Sequence, residues 1–237
     1  MLETNQQVQL VGDEYYDIKK EINSIIEYQI GNGIKNGLKG FILHGEAGVG
    51  KTRLISEIMK TLHRDHGFSL IKKDASDIAH KHYGESEKLI KEIFAENKGE
   101  RRAIFFDDVD GLFLTRDYGV KLETWYLSHL NVLFHMIDEL DTSQDVLFMT
   151  TNKIELIDFA LRDRLYNMEI PHPSNKSLKE YLNSRLEELF LKNTDVNITK
   201  VAKPIIYDIE NGIITNFRKL EQKIIIEYVN YVKTREF

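Results

Sequence analysis

Twelve residues constrain this chain more than any others: Phe41-Ile42-Leu43-His44-Gly45-Glu46-Ala47-Gly48-Val49-Gly50-Lys51-Thr52. The first four lean apolar and predict a buried strand. Gly45 to Thr52 then fits the pattern G-x-x-x-x-G-K-[ST]. Behind it, Arg53 to His63 carries Leu54, Ile55, Ile58, Met59 and Leu62 at helical spacing. Strand, glycine loop and helix form the context in which this pattern closes around a polyphosphate. Gly45, Gly48 and Gly50 let the backbone of Glu46, Ala47 and Val49 turn its N–H groups inward, at the positive end of a helix. Lys51 reaches the outer phosphates, the Thr52 hydroxyl ligates Mg²⁺, and Arg53 follows beside them. The stretch predicts a nucleoside triphosphate as ligand.

Hydrophobic patterning places the motif in an α/β domain. Residues 8 to 36 open with Val8, Leu10, Val11 and Gly12 and continue as a helical pattern through Tyr16, Ile18, Ile22, Ile25, Ile26 and Ile30. Strands are expected at 68–74, 103–108, 145–151 and 166–170, and helices at 86–97, 125–140 and 157–164. Alternation of this kind argues for a parallel sheet covered on both faces, with ligands at the carboxyl ends of its strands. After His172-Pro173 strand signals stop, and 174–193, 198–211 and 215–235 read as helices. The expected division is an α/β domain over 1–173 and a small helical domain over 174–237. Trp125, Leu130, Leu133, Phe134 and Ile137 form a stripe expected in the core.

The totals restrict the function further. The chain has no cysteine, which excludes disulfides, thiolate metal sites and thiolate catalysis. Its formal charge of −6 argues against wholesale nucleic-acid binding. No apolar run approaches the roughly 18 residues of a membrane span, and Met1 to Leu10 lacks the features of a signal peptide. A cytoplasmic protein is expected. His63, His66, His80 and His82 match no ligand spacing and read as solvated.

Ala103-Ile104-Phe105-Phe106-Asp107-Asp108 supplies the natural second half of an ATP site. A carboxylate on a strand beside the phosphate loop holds Mg²⁺, and Asp107 is expected in that place. Asp108 would orient or activate the attacking water.

Gly45–Thr52, Phe105–Asp110 (FFDDVD), Asp145–Asn152 (DVLFMTTN) and Ile157–Pro173 (IDFALRDRLYNMEIPHP) follow one another as in AAA+ ATPases. The chain resembles that family along essentially its whole length, and most closely its protein-remodelling branch. The resemblance implies a P-loop NTPase sheet with a helical lid, and a ring, usually a hexamer, with ATP between neighbouring copies. Asn152 then resembles the sensor that positions water against the γ-phosphate. Arg162 and Arg164 resemble the arginine-finger region, with the acting arginine left open. Thr215–Glu221 resembles the sensor-2 helix of replication initiators, so Arg218 would touch phosphates from the lid. Val11 and Gly12 match the segment that flanks adenine. The family has glutamate where this chain has Asp108. The missing methylene removes about 1.5 Å of reach, and misplacement on that scale costs roughly a hundredfold in rate, so slow hydrolysis is expected.

Lys81–Lys88 resembles the first pore loop of the remodellers, with His82-Tyr83-Gly84 as the gripping triplet. The resemblance thus implies a homo-oligomer that pulls on a protein substrate. A DNA-acting loader and a nucleotide-gated switch with little turnover are the alternatives. With only about 40 residues before the phosphate loop, recognition of substrate is expected to need a partner or adaptor protein, or the ring face itself.

Overall fold

Strands apolar along their whole length require cover on both faces. In a computed structural model describing residues 12–74, 78, 84–111, 124–190 and 198–233, three strands of this kind form the centre of a parallel sheet. The strands are β1 (Gly40–His44), β2 (Ser69–Asp74), β3 (Arg102–Asp107), β4 (Asp145–Thr151) and β5 (Tyr166–Glu169), in the order β2-β3-β4-β1-β5. Every pairing is parallel. β1, β3 and β4 are buried almost throughout, whereas the edge strands β2 and β5 bury one residue each, Ile71 and Met168. All five expected strands form, each within a residue or so of its expected limits.

The helices are α1 (Asp13–Gly31), α2 (Lys51–His66), α3 (Glu85–Ala95), α4 (Thr124–Asp138), α5 (Phe159–Arg164), α6 (Asn175–Phe190), α7 (Ile198–Glu210) and α8 (Phe217–Lys233). Asn152 leads into a 3₁₀ turn, Ile154–Leu156, and the helix expected from residue 157 begins at Phe159 because Asp158 caps it, accepting from the Ala160 N–H at 2.9 Å.

Strand alternation divides the core in two. Ile42, Ile104, Phe106, Leu147 and Met149 meet Ile90, Ile93 and Phe94 of α3, with Leu130, Leu133, Phe134 and Ile137 of α4. Trp125, the first member of that stripe, lies outside the described side chains. On the other face Phe105, Phe148 and Phe41 stand in register across three strands. The Phe41 and Phe148 rings stack at 5.7 Å, and Tyr166 meets Phe41 edge-on at 6.2 Å. Each such ring removes enough apolar surface from water to stabilise the fold by about 1.5–3 kcal/mol. α2 packs against β2, β3 and β4 through Leu54, Ile55, Ile58, Met59 and Leu62.

Contacts sort the chain into two units. Lys19–Glu46 and Lys51–Ile170 hold the sheet; Pro171–Phe237 groups with Ala47–Gly50 and the segment ending at Ile18. The second unit has its own core: Leu178, Tyr181, Leu182 and Leu186 of α6, Val201, Ile205 and Ile209 of α7, and Phe217, Leu220 and Ile224 of α8.

At the amino ends of β3 and β4, away from the glycine loop, Arg102 and Asp145 pair across the sheet. The Arg102 Nε donates to Asp145 Oδ1 at 2.9 Å, and Nη1 donates to the Phe94 and Glu96 carbonyls at 2.5 and 3.0 Å. Both are buried, at 3% and 7% exposure. Arg102→Met therefore leaves a carboxylate without its cation and should lower unfolding free energy by about 3–5 kcal/mol in urea titrations. The double variant Arg102→Met/Asp145→Leu should lose markedly less, and equal losses would contradict the pairing.

Candidate functional site

A parallel sheet delivers the carboxyl ends of all its strands to one edge. That edge brings together the loop after β1, the acids after β3 and the polar end of β4. Gly45 has φ 141° and Gly48 φ 85°, both left-handed or beyond for an L residue. A Cβ on Gly45 would stand 2.7 Å from the Ile170 carbonyl oxygen, so this start of the loop requires glycine.

Lys51 begins α2 and is 7% exposed. Its ammonium donates to the Gly45 carbonyl at 2.7 Å, the Glu46 carbonyl at 2.9 Å and the Asn152 Oδ1 at 2.8 Å. Lysine and Asn152 are 101 positions apart, yet one hydrogen bond joins them. Beside them, burial chiefly, and then the Lys51 charge acting against Glu169, lowers the pKa of His44.

The acids occupy distinct places. Asp107 Oδ1 accepts from the Thr52 hydroxyl at 2.9 Å and the Thr150 hydroxyl at 2.6 Å, while Oδ2 lies 3.3 Å from Lys72 Nζ. A hydroxyl and a carboxylate in contact are the donor set a hard divalent cation takes. Asp108 has φ 55°, a left-handed conformation that aspartate tolerates better than most residues. Its N–H donates to Thr150 Oγ1 at 2.8 Å, and its Oδ1 accepts from Asn152 Nδ2 at 3.0 Å. Asp110 accepts from the Thr151 hydroxyl, from the Asn152 N–H at 3.0 and 3.1 Å, and from Asn152 Nδ2 at 3.2 Å. The Asn152 amide is thus fixed with its oxygen on Lys51 and its nitrogen on the carboxylates.

In the second unit the middle of the glycine loop is held by backbone and phenol. Tyr15 of α1, 2% exposed, donates its hydroxyl to the Val49 carbonyl at 3.0 Å and to the Pro171 carbonyl at 3.4 Å. Burial, with the Glu14 charge beside it, raises the Tyr15 pKa and keeps it a donor. Its ring packs on Phe217 at 5.7 Å, and Phe217 packs on Tyr181 at 5.0 Å. The Phe217 N–H donates to the Gly48 carbonyl at 3.0 Å. Asn216 caps α8 by accepting from the Lys219 N–H at 2.9 Å. A Cβ on Gly48 would lie 2.8 Å from the Arg218 Cβ, so glycine permits the approach of α8 and brings Arg218 to the loop. Gly12 lies against Ser177, whose hydroxyl donates to Glu14 at 2.7 Å.

Other expected residues are placed separately. Arg164 makes a two-point pair with Asp138 at 3.0 and 3.2 Å and lies over the Phe134 ring at 4.6 Å. Arg162 lies over Phe159, itself 70% exposed, at 5.9 Å. Arg53 Nε stands 3.9 Å from Glu57. His63 Nδ1 meets the Phe68 carbonyl at 2.7 Å and His66 meets Glu27 at 3.3 Å. Val11, His80, His82 and Tyr83 lie outside the described residues; Gly84 has φ 87° immediately before α3. Sequence reading assigned nothing to Tyr15, Lys72, Asp110, Thr150 or Thr151. Asp110 and the two threonines stand inside motifs that were recognised, so position within the motif was an available signal. For Tyr15 and Lys72 none existed.

Residues 41–171 match the family model described as ATPase family associated with various cellular activities (AAA). An ATPase family AAA domain-containing protein of Arabidopsis thaliana is 32% identical over 170 residues, 61% of this chain and 14% of that protein. The 26S proteasome regulatory subunit 8 homolog of Saccharomyces cerevisiae is 29% identical over 222 residues, 83% of this chain and 52% of that one. The proteasome-activating nucleotidase of Sulfurisphaera tokodaii is 28% identical over 205 residues, with 83% and 48% covered. The chain spans about half or less of the length of these relatives. No described helix is long and apolar enough to cross a membrane.

Tyr15→Phe removes the donor that the Val49 carbonyl uses, with the ring packing retained. It should lower unfolding free energy by about 1–3 kcal/mol, the scale of a buried acceptor left without its partner. Denaturant midpoints indistinguishable from wild type would contradict that role.

Proposed function

We propose that this chain, which belongs to the ATPase family associated with various cellular activities (AAA), binds ATP with Mg²⁺ on its glycine loop and hydrolyses it slowly. Copies of the chain assemble into a ring, a hexamer by family resemblance, and use hydrolysis to remodel or translocate a protein substrate in the cytoplasm. The observation that carries the reading is the meeting of Thr52 with Asp107 at 2.9 Å, beside Asp108 and Asn152 joined at 3.0 Å.

The roles follow from the chemistry of each group. Gly45–Gly50 present backbone N–H groups to the phosphates, and Lys51 exchanges its loop carbonyls for phosphate oxygens. Thr52 and Asp107 hold the Mg²⁺, which when bound neutralises charge on the outer phosphates. Asp108 accepts a hydrogen bond from the attacking water, and Asn152 orients that water and the phosphate. Arg162 or Arg164 of one copy meets the phosphate held by the next; Arg164 must first release Asp138. Arg218 approaches the phosphates from the helices of residues 174–237, which serve as a lid. Val11 and Gly12 flank the base. His82, Tyr83 and Gly84 grip the threaded substrate, with a partner or adaptor protein supplying recognition where the ring face does not.

Asp108 favours a second reading, a nucleotide-gated assembly that hardly turns over. Phosphate release by wild type and Asp108→Glu separates the two. Glutamate restores reach at a small conformational cost from the left-handed backbone, so turnover should rise by about ten- to a hundredfold. A rate no faster than wild type would count against Asp108 as the limiting group. Light scattering with and without ATP tests assembly: a monomer under both conditions would leave Arg162 and Arg164 without a phosphate to meet.

A further inference from the structure

Among the carboxylates at the glycine-loop edge of the sheet, which include Asp74 opposite Asp107, the three that end β3 or follow it, Asp107, Asp108 and Asp110, have unequal hydrogen bonds. Asp108 and Asp110 share the Asn152 amide. Asp107 fills one oxygen with two hydroxyl protons, from Thr52 and Thr150. Its other oxygen faces the Lys72 ammonium at 3.3 Å. Lys72 comes from the edge strand β2, where it registers with Phe105, and its Nζ stands 5.3 Å from the centre of that ring. The Lys72 side chain is 48% exposed and Asp107 only 14%. The carboxylate is therefore enclosed by its partners, whereas the lysine that meets it is half-exposed to solvent.

We propose that Lys72 is an internal stand-in for the metal: it supplies the positive charge at Asp107 whenever Mg²⁺ is absent and yields that place when Mg²⁺ arrives. A carboxylate beside a polyphosphate repels it unless a cation stands between them. Lys72 lets the site accept nucleotide without metal, and the same charge opposes the entry of a divalent cation. Both effects narrow the difference between metal-loaded and metal-free nucleotide binding. The role rests on the nucleotide site proposed above and adds a residue to it.

The test is calorimetric titration of the whole chain with ADP, in EDTA and in excess Mg²⁺, for wild type, Lys72→Met and Lys72→Arg. The ratio of the two dissociation constants should widen in Lys72→Met by about two- to fivefold, the scale of a partly exposed ion pair. Lys72→Arg should keep the wild-type ratio. An unchanged or narrower ratio in Lys72→Met, with wild type binding ADP normally, would overturn the stand-in role alone. Wild type that bound no ADP in either buffer would overturn the nucleotide site, and the role of Lys72 with it. Lys72→Arg behaving like Lys72→Met would also overturn the role, because charge would then not be the property in use.

Discussion

One ammonium group holds the candidate site in shape. Lys51 is almost wholly buried, and its three protons go to two carbonyls of its own loop and to the amide of Asn152. A buried lysine without acceptors would be costly; here the acceptors are the backbone groups that a glycine-rich turn exposes. The loop, the start of α2 and the end of β4 are therefore fixed by one charge. Polyphosphate would replace carbonyl oxygens with anionic ones, which is a favourable exchange for the same three protons.

The sheet makes that meeting possible. β1 lies between β4 and β5, and β4 lies between β1 and β3, all parallel. In that register Asp107 follows Phe106, which stands opposite Met149, so Thr150 is the neighbour that bonds it. The row of Phe105, Phe148 and Phe41 and the opposite row of Phe106, Met149 and Ile42 fix the register from both faces. A slip of one residue would turn both rows inside out. Geometry at the carboxyl edge is thus set by the packing of the residues just before it.

Much of this was legible in the sequence because it is local. Continuous apolar runs marked β1, β3 and β4, and helical spacing marked α2 and α3. The glycine pattern marked the loop, and the two acids after Phe106 marked the strand end. Contacts between distant segments were not legible. Nothing in Tyr15 announces a hydrogen bond 34 positions away to Val49. Lys72 reads as an ordinary solvated lysine on an edge strand until β2 is placed beside β3. Arg164 reads as a candidate arginine finger by resemblance, and nothing in its spacing reveals that Phe134 and Asp138 lie under it. Asp108 looked like a shortened glutamate; its left-handed backbone adds a reason for aspartate that no spacing could reveal.

Lys51 is proposed to hold the loop open for a polyphosphate and to redirect its hydrogen bonds from the loop carbonyls to the phosphate oxygens. The most direct measurement of that exchange is the affinity of ATP for Lys51→Met, at fixed Mg²⁺ and salt, in protein confirmed to be folded. Loss of charge-assisted hydrogen bonds to phosphate should weaken binding by about ten- to a hundredfold. An affinity equal to that of wild type would mean that the nucleotide, if bound at all, is held elsewhere.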